Sequence, residues 1–194
     1  MVALELQDPT IAGPNFVNAS GNGASRWKEL TYAQLSNAYD RGVALQAAFS
    51  QVNASNPDLS AFKASGGKII HYHGLADEAV YAQGSTYYYD QVVSKLGGLA
   101  SVQDFYRLYL VPGMGHGTPN NGTAKPDANP PLPSGDQLYK HLTDWVEKGV
   151  APDAITINSK SATPVAKSWP ICVYPKKITY GSGNPLQAAS YTCQ

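Results

Sequence analysis

Two polar residues close apolar, strand-like runs in this chain: Asp77 follows Gly74-Leu75-Ala76, and His116 follows Pro112-Gly113-Met114-Gly115. A carboxylate and an imidazole in that chain order suit one kind of chemistry. The carboxylate accepts the Nδ1–H of the ring, fixes its tautomer and stabilises the imidazolium formed when the ring takes a proton from a serine. Residues that leave the carboxyl ends of adjacent parallel strands meet at one sheet edge, where open α/β sheets hold their sites. Asp77 and His116 are therefore the candidate acid and base of a triad. Gly113, Gly115 and Gly117 leave the backbone free to bring the histidine over that edge. No Gly-x-Ser-x-Gly turn, the motif that would present the serine, occurs between Met1 and Gln194.

Other assignments compete for the same residues. An aspartate at a strand end often caps the following helix. A loop histidine between glycines, by contrast, has little packing to do, which favours a functional role for His116. His71 and His73 share a strand face but lack a third ligand, so they read as core or supporting groups, and neither a metal nor another cofactor is expected. Ser85, the alternative nucleophile, stands where a helix N-cap belongs. His141 is expected to face solvent.

The elements that must position these groups follow from periodicity. Thr31 and Gln34 form a capping-box signature before Leu35, Ala38, Gly42, Leu45 and Phe49, which predicts a helix. A short amphipathic piece through Leu59 and Phe62 leads to a strand over 68–72. A helix over about 85–96 ends at Gly97-Gly98, and a mostly apolar strand over 104–111 follows. Strand, helix, strand at this spacing predicts a parallel βαβ unit. Residues 118–133, rich in Pro, Asn and Gly, predict a long surface loop. Ser134 and Gln137 predict a second capping box, with Leu138, Leu142, Trp145 and Val146 on one helix face and Gly149 at its end. Ile155–Ile157 predicts a short strand, and the tail beyond it an extended, stapled segment. Three regions result: an irregular segment over 1–30, a catalytic portion over 31–160, and a disulfide-stapled tail over 161–194.

With 194 residues, 43% hydrophobic and 14% charged, the composition is that of a globular protein with one core. Fourteen basic residues balance fourteen acidic ones, so no long-range field draws nucleic acid or an anionic membrane. No apolar run approaches the roughly 20 residues that cross a bilayer. The first residues, Met1 to Asp8, lack the basic and apolar stretches of a secretion signal. Three sequons, at Asn18, Asn53 and Asn121, nonetheless point to an extracellular protein, as do the cysteines. Cys172 and Cys193 have no metal-ligand spacing between them and are expected to be bonded. In the chain-entropy account, closing that loop contributes about 3 kcal/mol.

Longer stretches carry a family resemblance. The run from Asn56 to Lys68, the segment His71-Tyr72-His73-Gly74-Leu75-Ala76-Asp77 and the segment Tyr109 to His116 resemble the tannase and feruloyl esterase family. Asp144 to Gly149 and Trp169 to Pro175 fit it as well, so the resemblance covers about residues 30–194. It implies a secreted α/β-hydrolase that cleaves esters of gallic, ferulic and related aromatic acids, with Asp77 as triad acid and His116 as triad base. Members usually carry a cysteine directly after the triad histidine, bonded to one beside the nucleophilic serine; here that position is Gly117.

The resemblance further implies that serine, oxyanion hole and lid lie upstream of this chain. The expected fold class is thus α/β, the C-terminal part of an α/β-hydrolase with parallel strands and flanking helices. The expected function is ester hydrolysis with an aromatic-acid ester as substrate and an upstream half of the same enzyme as partner. The rival is a catalytically inactive fragment that self-associates through its open sheet edge and acts as a structural or interaction module.

Overall fold

The computed structural model describes residues 30–50, 53–116, 129–160 and 165–194. Apart from Leu30, the segment expected over 1–30 lies outside the described residues, as do the sequons at Asn18 and Asn121, and Gly117. Two compact units divide at Asn56 and Pro57.

The first unit contains helix α1 (Tyr32–Ala44). Its start is the predicted capping box: Thr31 Oγ1 accepts the Gln34 N–H at 3.2 Å, and the Thr31 N–H donates to Gln34 Oε1 at 2.9 Å. The helix stops before Leu45 and Phe49, where the apolar period had suggested that it continues. Asn53 is exposed, and its side-chain oxygen accepts the Ser55 N–H at 3.0 Å.

The second unit is built on strands β1 (Ile69–Gly74) and β2 (Tyr106–Val111), which pair in parallel from Ile69 opposite Tyr106 to Gly74 opposite Val111. A short helix α2 (Ser60–Ala64) precedes β1. Between the strands run α3 (Ala82–Lys95) and a second, unpredicted turn of helix, α4 (Leu99–Gln103). Along β2 the side chains alternate between two apolar clusters. Tyr106 and Leu108 join Tyr89, Val92, Val102 and Phe105, whereas Tyr109 and Val111 join Leu138, Ile155, Ile157 and Ile171. This two-sided burial is why the strand reads as a nearly continuous apolar run. Full burial of a residue such as Leu108 or Ile157 contributes about 1.5–3 kcal/mol.

The face of β2 bearing Tyr109 is covered by an antiparallel sheet of β3 (Pro131–Leu132), β4 (Ala154–Ser159) and β5 (Ser168–Cys172), together with α5 (Gly135–Lys148). Pro131 and Leu132 were expected in a loop. They form an edge strand instead, where a residue without an N–H is tolerated. Ser134 caps α5 by accepting the Gln137 N–H at 3.2 Å. The Gln137 side chain turns away from the cap and donates to the Thr156 carbonyl at 2.6 Å, tying helix to sheet. Val146 is exposed rather than on the buried face, and His141 is half-buried rather than solvent-facing.

The tail is more ordered than an extended segment. Val173 bridges Tyr109, and the Tyr174 N–H donates to the Leu108 carbonyl at 2.8 Å, so the tail covers the outer edge of β2. Strands β6 (Ile178–Tyr180) and β7 (Tyr191–Cys193) form a hairpin-like pair. Cys172 and Cys193 are bonded, with Cα atoms 5.5 Å apart, linking the end of β5 to the end of β7. Among the described residues no helix is long and apolar enough to cross a membrane.

Candidate active site

The loops that follow β1 and β2 are locked together by backbone. The Leu75 N–H donates to the Val111 carbonyl and the Ala76 N–H to the Met114 carbonyl, each at 2.9 Å. Gly74 makes this approach feasible: a Cβ there would stand 2.1 Å from the Met114 oxygen. Gly113 turns the second loop with φ of 74°, a value that L side chains rarely adopt.

The predicted pair meets. His116 Nδ1 lies 3.1 Å from Asp77 Oδ2, although 39 positions separate the two residues. The Asp77 side chain is 8% exposed and that of His116 59%. Asp77 Oδ1 accepts the N–H groups of Ala79, at 2.9 Å, and Val80, at 2.8 Å. Burial pushes this carboxyl up, but the Val80 amide, the His116 ring and the Ala79 amide outweigh it and hold the pKa at about 2. The acid is thus ionised throughout the neutral range. With Nδ1 turned to the carboxylate, Nε2 of His116 is the nitrogen available to a serine hydroxyl. The pair opens onto a cleft of about 300 Å³ between Tyr72–Gly74 and Met114–His116.

Behind the pair lies a second layer of polar side chains. His73 Nε2 stands 3.2 Å from Asp77 Oδ2 and 2.9 Å from the Val80 carbonyl, and its Nδ1 is 2.7 Å from Ser85 Oγ. Ser85 Oγ also lies 3.1 Å from His71 Nε2, while His71 Nδ1 is 2.7 Å from the Tyr106 hydroxyl. Ser85 is not the cap of α3; Tyr81 is, and Ser85 sits one turn in, facing the two histidines. It does not line the cleft. The shared face of His71 and His73 was readable from strand alternation, but their common partner on α3 was not. Among the described residues no group of three or more metal-ligating side chains forms.

The family model described as tannase and feruloyl esterase matches residues 11–194. The chain is 35% identical over 167 residues to a probable feruloyl esterase of Arthroderma benhamiae, covering 84% of this chain and 29% of that protein. It is 38% identical over 146 residues to the mono(2-hydroxyethyl) terephthalate hydrolase of Piscinibacter sakaiensis, covering 72% of this chain and 22% of that one. Among solved structures, tannin acyl hydrolase from Aspergillus niger superposes with a TM-score of 0.72 at 26% identity, over 100% of this chain and 32% of the other. Feruloyl esterase B from Aspergillus oryzae superposes with a TM-score of 0.65 at 26% identity, over 85% and 33%. The chain therefore spans about a third or less of the length of these relatives.

Proposed function

Because the chain belongs to the tannase and feruloyl esterase family, we propose that it is the part of a carboxylic ester hydrolase that supplies the acid and the base. The observation that carries this is the contact between Asp77 and His116 at the carboxyl ends of two parallel strands, beside an open cleft. His116 takes the proton of a serine hydroxyl and returns it to the leaving alkoxide. Asp77 holds the ring in the tautomer with the proton on Nδ1 and stabilises the imidazolium. The serine and its oxyanion hole come from residues that precede this chain, consistent with relatives about three times as long. Within Pro57–Gln194, the compact unit that holds the pair, the residues through 160 supply the catalytic part and the disulfide-linked residues 165–194 its tail. Names of the relatives support an ester of an aromatic acid as substrate, and Tyr72, 39% exposed at the cleft, offers an aromatic surface for it. The bonded cysteines and the exposed sequon at Asn53 support an extracellular glycoprotein.

One observation favours a second reading. Ser85, His73 and Asp77 form a serine, histidine, acid series within the chain itself. Against it, Ser85 is absent from the cleft lining, and its oxygen is engaged by two imidazoles. Treatment of the 194-residue chain with a serine-directed phosphonate, followed by mass spectrometry, distinguishes them. The proposal expects no adduct; a stoichiometric adduct on Ser85 would overturn it.

A further inference from the structure

We propose that His73 is a positioning residue for the Asp77–His116 pair, held in one tautomer by a directional hydrogen-bond relay through Ser85, His71 and Tyr106. This rests on the reading of Asp77 and His116 as acid and base. The direction follows from proton counting. His73 Nε2 faces the Asp77 carboxylate and the Val80 carbonyl, neither of which has a proton to give, so Nε2 carries one. In a neutral ring Nδ1 then accepts, and the Ser85 hydroxyl donates to it. A hydroxyl has a single proton. The contact between Ser85 Oγ and His71 Nε2 is therefore one in which His71 donates. That leaves His71 Nδ1 to accept from the Tyr106 O–H. Every group in the series is satisfied with each ring neutral. Burial, and after it the neighbouring His73, push the His71 pKa down, and burial pushes the Tyr106 phenol up, so both shifts favour the neutral forms that the series uses.

The last donor in the series acts where it matters. Asp77 has four acceptor positions, and four donors fill them: Ala79 and Val80 on Oδ1, His73 and His116 on Oδ2. The His116 side chain is 59% exposed, so packing does little to orient it. Its orientation rests on where Oδ2 points, and His73 is the side chain that shares that oxygen. A protonated His73 would run the series backwards, with Ser85 donating to His71 Nε2 and the His71 proton on Nδ1. The two directions thus leave different protons on His71.

The test is imidazole nitrogen NMR on the ¹⁵N-labelled 194-residue chain, at about two pH units above the ordinary histidine pKa of roughly 6.5. The relay predicts the proton on Nε2 of His71 and of His73, and on Nδ1 of His116. In His73→Ala, His116 should move to the mixed tautomers of a free imidazole. In His73→Gln, whose side-chain amide donates in place of Nε2, it should keep the Nδ1 proton. Ser85→Ala, a smaller change on the helix, should mix the tautomers of His71. An Nδ1 proton on His71 in the parent chain would overturn the proposal, as would an unchanged His116 in His73→Ala or an unchanged His71 in Ser85→Ala. None of these readouts needs turnover, so a failure of ester hydrolysis would count against the proposed function and leave the relay standing.

Discussion

His116 Nδ1 and Asp77 Oδ2 stand 3.1 Å apart because two loops are tied to each other, the Ala76 N–H donating to the Met114 carbonyl. Backbone brings the two loops together, and the contacts of the Asp77 carboxylate then orient the ring.

For the rate, the expectation is set by what each partner does. In an active enzyme containing this chain, His116→Ala should lower kcat by several orders of magnitude, and Asp77→Asn by about 10⁴, since an amide would favour the wrong tautomer. Asp58→Asn serves as a control: Asp58 accepts the Ser60 N–H at 3.1 Å at the start of α2, a role that asparagine also fills. Steady-state hydrolysis of methyl ferulate by the three variants checks the order.

Acid stability follows from the sign of the Asp77 shift. Its folded pKa, about 2, lies below the value of about 3.9 for an unfolded chain. The native state therefore binds this proton less readily. The stabilisation is complete above about pH 4 and is lost as pH falls towards 2. Urea midpoints measured across that window should fall less steeply in Asp77→Asn than in the parent chain.

Gly74→Ala tests the contact between the loops. A methyl 2.1 Å from the Met114 oxygen forces the backbone apart, at a cost of about 1–3 kcal/mol by comparison with overpacked cores. Urea denaturation measures it. An unchanged midpoint would mean that the loops are less tightly joined than described.

Cys172→Ser with Cys193→Ser opens a link between residues 21 positions apart. Loop-closure entropy predicts a loss of roughly 3 kcal/mol in the unfolding free energy, measurable in the same urea experiment.

Much of this was legible because it is local or periodic. The capping box at Thr31, the strand, helix, strand order around Tyr89 and the apolar run to Val111 all follow from spacing within a few residues. Asp77 and His116 could be singled out because each ends such a run. Pro131 and Leu132 could not, since two residues in a proline-rich stretch have no period, and their strand exists only through pairing with Ser159 and Asn158. The contacts among His73, Ser85, His71 and Tyr106 also escaped. They depend on how α3 lies against β1 and β2, which spacing along the chain does not determine.

If this chain holds the acid and base of an esterase and takes its nucleophile from preceding residues, the chain alone has no attacking group. The rate of methyl ferulate hydrolysis decides this, measured for the 194-residue chain alone and for the same chain joined to the preceding two thirds of a family member. The chain alone should run at background rates, because covalent catalysis and the oxyanion hole are both lacking. Joining should bring turnover that His116→Ala removes. Robust hydrolysis by the chain alone, abolished by Ser85→Ala, would instead place the nucleophile at Ser85.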